Sequence, residues 1–198
     1  MDRILLLTLA LIVTACSRDE GAPAGEPREP AAAPAEAIPE EAPPAPARDA
    51  VAQLAATQGN TANGSLQLVQ APEGVHVSGT IQGLKPNAEF GFHFHEKGDC
   101  SAPDASSAGA HFNPAQKPHG NPASAEHHAG DMLNVKSNGE GVAQIDTTAN
   151  AATIGSGEPT DVLGKAIVVH ESPDDYATQP SGNSGKRIAC GVIAAPTA

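Results

Sequence analysis

From residue 51 onward, apolar and polar side chains alternate in short runs, and Gly, Asn or Pro separates one run from the next. A period of two marks a half-buried β-strand, and flanking turn formers mark its ends. Strands are predicted over 51–57, 65–70, 75–82, 89–96, 132–136, 142–148, 165–170 and 187–194. Asn63-Gly64 marks a hairpin between the first two, and Ser137-Asn138-Gly139 a turn between the fifth and sixth. No long helical period appears. Eight short strands with such turns predict an all-β domain, an antiparallel sandwich or flattened barrel. Two connections, 97–130 and 171–186, are too long for a compact β-domain unless something orders them or they carry function.

The first fifty residues have a different texture. Arg3 precedes an apolar run over 4–13 that only Thr8 interrupts. That run is too short to span a bilayer and suits the core of an export signal. It ends Val13-Thr14-Ala15-Cys16, small residues closing on a cysteine as in the bacterial lipobox. Two readings stand: lipidation of Cys16 as the mature N-terminus, or ordinary signal cleavage that removes it. Residues 17–50 hold eight Pro and eleven Ala among acidic residues and show no apolar periodicity. Such a composition cannot bury enough surface to order itself. A polyproline-like tether of that length reaches roughly 100 Å. The expected organisation is therefore a signal over 1–16, a linker over 17–50 and a folded domain over 51–198.

Charge narrows the function. The chain carries Lys+Arg 11 against Asp+Glu 23, a net −12, with 3% aromatics and no Trp. That balance argues against nucleic-acid binding, which needs a basic footprint. An anionic substrate has to be drawn in by local charge.

Candidate chemistry concentrates between positions 93 and 131. His93 and His95 alternate on a predicted strand, so both point to one face. His111, His119, His128 and Asp131 follow across the long loop. The last four make a three-nitrogen, one-oxygen set that suits tetrahedral zinc in a structural role. His93, His95 and the distant His170 make an all-imidazole set that suits copper. A lone His-x-His is weak, since it also describes polar surface; the whole spacing set is far stronger. Cysteine arithmetic adds a constraint. With Cys16 in the signal, Cys100 and Cys190 remain as a pair, expected to be oxidised in an exported protein. A redox-active pair is the rival reading, and it lacks Cys-x-x-Cys spacing.

The full set of motifs resembles the copper/zinc superoxide dismutases, specifically their exported bacterial branch. The matching text is Gly91-Phe92-His93-Phe94-His95-Glu96, His111-Phe112-Asn113-Pro114, His119-Gly120, His128-Ala129-Gly130-Asp131 and Val168-Val169-His170-Glu171, closing with 182–193 from Gly182-Asn183-Ser184 through Lys186-Arg187 to Ala189-Cys190-Gly191. The resemblance covers about residues 50–194. It implies an eight-stranded antiparallel Greek-key barrel or sandwich with two long functional loops. It implies copper on His93, His95, His111 and His170, and zinc on His111, His119, His128 and Asp131, so that His111 bridges the metals. It implies a Cys100–Cys190 disulfide, Arg187 positioning the anion, and Asp174 linking His93 to His119. The implied reaction converts superoxide to oxygen and hydrogen peroxide. In the family mechanism the bridging histidine, here His111, leaves copper on reduction, takes a proton and returns it.

The expected setting is the bacterial periplasm. There the enzyme protects the envelope, held at a membrane, the outer one favoured, by lipid on Cys16. Monomer or homodimer stays open. A metal-binding module without turnover and a tethered structural domain are the competing classes. The metal-binding module would be favoured by a missing zinc ligand, a lost arginine or a shortened 171–186 loop, and none of these occurs. His127, beside His128, is the one-residue-shift alternative for the zinc set. His76 reads as surface, and Lys117 and Lys186 as solvated charge or anion steering.

Overall fold

The computed structural model describes residues 49–196. The signal, Cys16 and nearly all of the linker lie outside those residues. Among the described residues there are nine strands: β1 Asp49–Ala56, β2 Asn63–Ala71, β3 Gly74–Gln82, β4 Glu89–Phe90, β5 Phe92–His95, β6 Val135–Lys136, β7 Ala143–Ala149, β8 Ala166–His170 and β9 Arg187–Ala194. Seven form an antiparallel sheet in the order β5-β8-β9-β1-β2-β3-β7, and β4 pairs with β6. The sheet curls into a half-barrel. β1, β2 and β3 form a meander. The chain then crosses to the far edge of the sheet, where β5 pairs with β8, and returns so that β7 pairs with β3. Those long crossings are the Greek-key element, and the two long loops leave from β5 and β8.

Alternation decides which face each strand buries. Ala52 and Leu54 of β1, Leu66 and Leu68 of β2, and Val75, Val77 and Ile81 of β3 point inward to one core. Their neighbours Gln53, Gln67 and Thr80 face solvent. β8 is buried at every position. Ile167 and Val169 join the main core, while Ala166 and Val168 pack on the other face against Ala105, Ala108 and Cys190. A strand covered on both faces reads as a continuous apolar run, which is what Ala166-Ile167-Val168-Val169 shows. That second, smaller core lies beneath the 97–130 loop and holds it to the sheet.

Two strand expectations need correction. The predicted 89–96 strand is two strands, because the backbone changes partner at Gly91. There the amide donates to Ser172 O and the carbonyl accepts from His170 N, both at 2.8 Å. A Cβ at Gly91 would come within 2.8 Å of Ser184 Cβ, so glycine is required by close approach. The predicted 132–136 strand shrinks to Val135–Lys136. The amide of Asn134 is taken by Tyr176 Oη at 2.7 Å and has no ladder partner.

The loop after β5 folds back onto that strand's free edge. Phe94 N donates to Gly130 O at 2.9 Å, and Phe112 N donates to Phe94 O at 2.8 Å. Isolated bridges pair His95 with His111 and His93 with Asp131. An exposed strand edge is a liability that proteins cover; here the cover delivers loop side chains to the strand that carries His93 and His95.

Candidate metal centre

Strand geometry places three imidazoles. His93 and His95 share one face of β5, opposite the buried Phe92 and Phe94. His170 ends β8, where the register with β9 shifts between Val169 and His170. A bulge re-aims the side chain that follows it. This one sets His170 opposite Arg187 across the strand pair.

The loop supplies the rest. Two groups form, His93, His95, His111 and His170, and His111, His119, His128 and Asp131, with ligand atoms within 4.8 Å of one another. His111 belongs to both. Its ring centroid lies 4.0 Å from that of His93 and 5.4 Å from that of His119.

Hydrogen bonds fix which nitrogen of each ring points inward. His95 Nδ1 lies 2.9 Å from Gly109 O, and His170 Nδ1 lies 3.2 Å from Gly185 O. A carbonyl only accepts, so both Nδ1 atoms carry the hydrogen and both Nε2 atoms present lone pairs. Those two Nε2 atoms face each other at 3.3 Å. Paired lone pairs at that distance repel unless a cation lies near both. Asp174 Oδ2 is 2.7 Å from His93 Nε2, and its Oδ1 is 2.9 Å from His119 Nε2. One carboxylate thus ties a strand-borne ring to a loop-borne ring. Partners of this kind orient ligating imidazoles and raise their basicity.

Among the described residues, four buried side-chain nitrogens have no hydrogen-bond partner: His93 Nδ1, His111 Nε2, His119 Nδ1 and His128 Nδ1. Leaving such groups unsatisfied costs about 1–3 kcal/mol each. A bound cation is the natural remedy for a convergent set. Asp131 completes the second group. Its Oδ1 lies 3.0 Å from His111 Nδ1 and 3.3 Å from His128 Nδ1, and its Oδ2 lies 3.0 Å from His119 Nδ1. The backbone amides of His128 and Gly120 also donate to Oδ2, at 2.9 and 3.2 Å. Both donor sets fit their metals: all-imidazole for copper, and three imidazoles with a carboxylate for zinc.

Electrostatics keeps most of the set ready to bind. Burial, reinforced by neighbouring rings, pushes His95 and His170 well below the ordinary histidine value. Burial and His93 lower His111 to about 4. These imidazoles are neutral at neutral pH, as ligands must be. At His119 burial also lowers the value but is outweighed by the carboxylates of Asp131 and Asp174 beside the ring, and the value rises to about 9. Both carboxyls resist a raising effect of burial and are held far below the usual range by their histidine partners.

One side of the centre is open. His95, His111, His170, Pro180, Gly185 and Arg187 line a cleft of about 470 Å³. Arg187 donates from Nη1 to Ala105 O at 2.6 Å and from Nη2 to Gly109 O at 2.5 Å. The guanidinium is thereby fixed as a cation beside the exposed edge of the imidazole cluster. Cys100 and Cys190 are disulfide-bonded, with Cα atoms 5.8 Å apart. That bond fastens the start of the loop that carries Ala105 and Gly109 to β9.

The remaining sequence candidates stay apart from the centre. His127 points away from it, and its Nδ1 donates to His128 O at 2.7 Å. His76 pairs loosely with Asp146 on the sheet surface at 3.5 Å. Lys117 Nζ donates to Ala125 O within its own loop, and Lys186 lines a neighbouring depression beside Arg187. Sequence reasoning missed Asn134, whose side chain both donates to Asp174 O at 2.9 Å and accepts from Asp174 N at 2.8 Å. It also missed Gln179 and the carbonyls of Gly109 and Gly185. The only signal in the sequence was their place in or beside the two over-long loops.

A half-barrel with two cation sites sharing one imidazole defines a dinuclear metalloprotein. Residues 62–193 match the family model for copper/zinc superoxide dismutase. The chain is 42% identical over 147 residues to superoxide dismutase [Cu-Zn] 2 of Aquifex aeolicus, covering 72% of this chain and 84% of that one. It is 41% identical over 124 residues to the superoxide dismutase-like protein YojM of Bacillus subtilis, covering 61% and 63%. Among solved structures, a double mutant of a SOD-like protein from Bacillus subtilis aligns with a TM-score of 0.66 at 39% identity, covering 73% of this chain and 96% of that one. The clock protein EA4 aligns with a TM-score of 0.67 at 39% identity, covering 76% and 96%. This chain belongs to the copper/zinc superoxide dismutase family, oxidoreductases that use copper and zinc.

Proposed function

We propose that this chain dismutates superoxide at the cleft formed by His95, His111, His170 and Arg187, and that it does so in the bacterial envelope. His93 Nδ1 and the Nε2 atoms of His95, His111 and His170 would hold copper. The Nδ1 atoms of His111, His119 and His128 with Asp131 Oδ1 would hold zinc. Copper, when bound, supplies one-electron exchange with superoxide, and zinc a fixed charge on the far side of His111. The overall change is two superoxide anions and two protons giving one oxygen and one hydrogen peroxide.

The chain's own groups do the rest. Arg187 offers a fixed, always-charged fork at the cleft, where it counters the acidic net charge for an incoming anion. His111 Nε2 faces the first group and has no hydrogen-bond partner, so it is the atom that accepts a proton and returns it to the reduced anion. Asp174 keeps His93 and His119 from rotating while this happens. The observation that carries the reading is the membership of His111 in both donor sets. The check is dismutase activity of metal-loaded full-length protein beside a His170→Ala variant. At least about a hundredfold loss is expected, in line with removing a metal ligand or its support. Activity that survives the change overturns turnover at this cleft.

Placement in the envelope rests on the sequence. The apolar run at 4–13, the Val13-Thr14-Ala15-Cys16 close and the Pro/Ala linker support export, lipidation of Cys16 and a tethered domain on the periplasmic side of a membrane. Labelled fatty acid should enter the wild-type chain and fail to enter a Cys16→Ala variant. Equal labelling of both would remove the anchor from this reading.

A further inference from the structure

Gln179 is absent from both donor sets and from the lining of the cleft. Its side-chain amide nonetheless engages both backbone groups of His119, which lies 60 residues away. His119 N–H donates to Gln179 Oε1 at 2.8 Å, and Gln179 Nε2 donates to His119 O at 2.8 Å. The same Nε2 reaches Ala177 O at 3.3 Å, inside its own loop.

Two such bonds copy the pairing of neighbouring antiparallel strands, and they fix the peptide planes on either side of one Cα. Those planes set the direction in which the imidazole leaves the backbone. Asp131 at 3.0 Å and Asp174 at 2.9 Å then fix where the ring ends. Few side chains can do this at one site. A carboxylate would turn an acceptor toward His119 O, and an ammonium would turn a donor toward His119 N–H; an amide carries both, side by side on one planar head. Asparagine is one carbon shorter. The next two residues, Pro180 and Ser181, line the cleft, so the same attachment also sets one cleft wall.

We infer that Gln179 is a positioning residue for the His119 arm of the zinc set, latching the 171–186 loop to the 97–130 loop at that ligand's backbone. The inference rests on the reading that His111, His119, His128 and Asp131 hold zinc, and it deepens that reading. Asp174 and Gln179 then grip one residue from two directions, the first by its ring and the second by its main chain. Partners behind a metal ligand change affinity by about 10- to 100-fold when removed, and that is the scale expected here.

The test uses full-length, disulfide-intact protein as wild type, Gln179→Ala and Gln179→Met. Methionine keeps most of the side-chain volume and removes both hydrogen bonds, so it covers the case in which the alanine variant fails to fold. Zinc affinity is measured by competition with a chromogenic chelator. Cobalt(II) placed at the same position reports ligand geometry through its visible spectrum. Both variants should hold zinc about 10- to 100-fold more weakly and show an altered cobalt spectrum. Wild type that takes up no zinc refutes the zinc reading itself. Wild type that holds zinc beside variants of equal affinity overturns the latch alone. A weakened alanine variant beside an unchanged methionine variant overturns it too, because packing rather than hydrogen bonding would then be responsible. An unchanged cobalt spectrum in a weakened variant does the same.

Discussion

The two halves of the metal centre are built by different means. His93, His95 and His170 sit on β5 and β8, whose antiparallel register fixes their backbones through ladder hydrogen bonds. The sheet's core stabilises that register whether or not a metal is present. His111, His119, His128 and Asp131 sit on or at the end of a loop with a single short 3-10 turn, Ser106–Ala108. Their positions depend on side chains: Asp131 collecting three histidines, Asp174 reaching across from the other loop, Asn134 holding Asp174, Gln179 holding His119. Cooperative ladders make the strand half rigid by default. The loop half is rigid only while many separate contacts persist together. The difference suits a centre in which His95 and His170 face the cleft from the strands, while His119 and Asp131 stay behind it as a template.

If that contrast is right, cutting the covalent tie to the loop should loosen one half and spare the other. Cys100 and Cys190 are separated by 90 residues. Constraining a loop of that length is worth about 4–5 kcal/mol in the chain-entropy model. Reduction should therefore lower the melting temperature by on the order of 10 °C for a domain of this size. The loss of hydrogen-exchange protection should be largest in the 97–130 loop, with β1, β2 and β3 losing only what the lower global stability removes. Ala105 and Gly109 ride on that loop and hold Arg187 and His95, so metal retention should weaken as well. A melting temperature unchanged after complete reduction would show that the loop is held without its tie.

The same contrast explains what the sequence could disclose. The strand half was legible because period-two alternation places His93 and His95 on one face, and the buried run before His170 reads as a strand. The candidate donors of the loop half, which the structure brings together, were legible because imidazole and carboxylate chemistry survives without knowing where the loop goes. What places those loop ligands was not legible. Asn134 and Gln179 act on main-chain atoms 40 and 60 residues away, and amide side chains acting on backbone leave no periodicity. The partner change at Gly91 was hidden for a related reason. There the backbone bonds to Ser172 and His170, about 80 positions away in sequence, and the alternation of its own strand runs through it undisturbed.

Acidity offers a smaller but cleaner separation of the halves in metal-free, disulfide-intact protein. Between pH 7.5 and 9 the strand-borne His95 and His170, lowered first by burial, are neutral in the folded chain and largely neutral once unfolded. They add little slope in that window, as does His111 at about 4. His119 behaves oppositely, because Asp131 and Asp174 overcome its burial and raise it from 6.5 to about 9. A raised histidine contributes stability that is complete below 6.5 and lost as pH climbs through its folded value. Unfolding free energy from urea titrations should therefore fall by on the order of 2 kcal/mol between pH 7.5 and 9. An Asp174→Asn variant, which loses one of the two carboxylates on His119, should show a shallower fall. A flat profile in the wild type would mean that the loop ring carries no extra proton in the fold, and that only one of Asp131 and Asp174 accepts a hydrogen bond from the neutral imidazole.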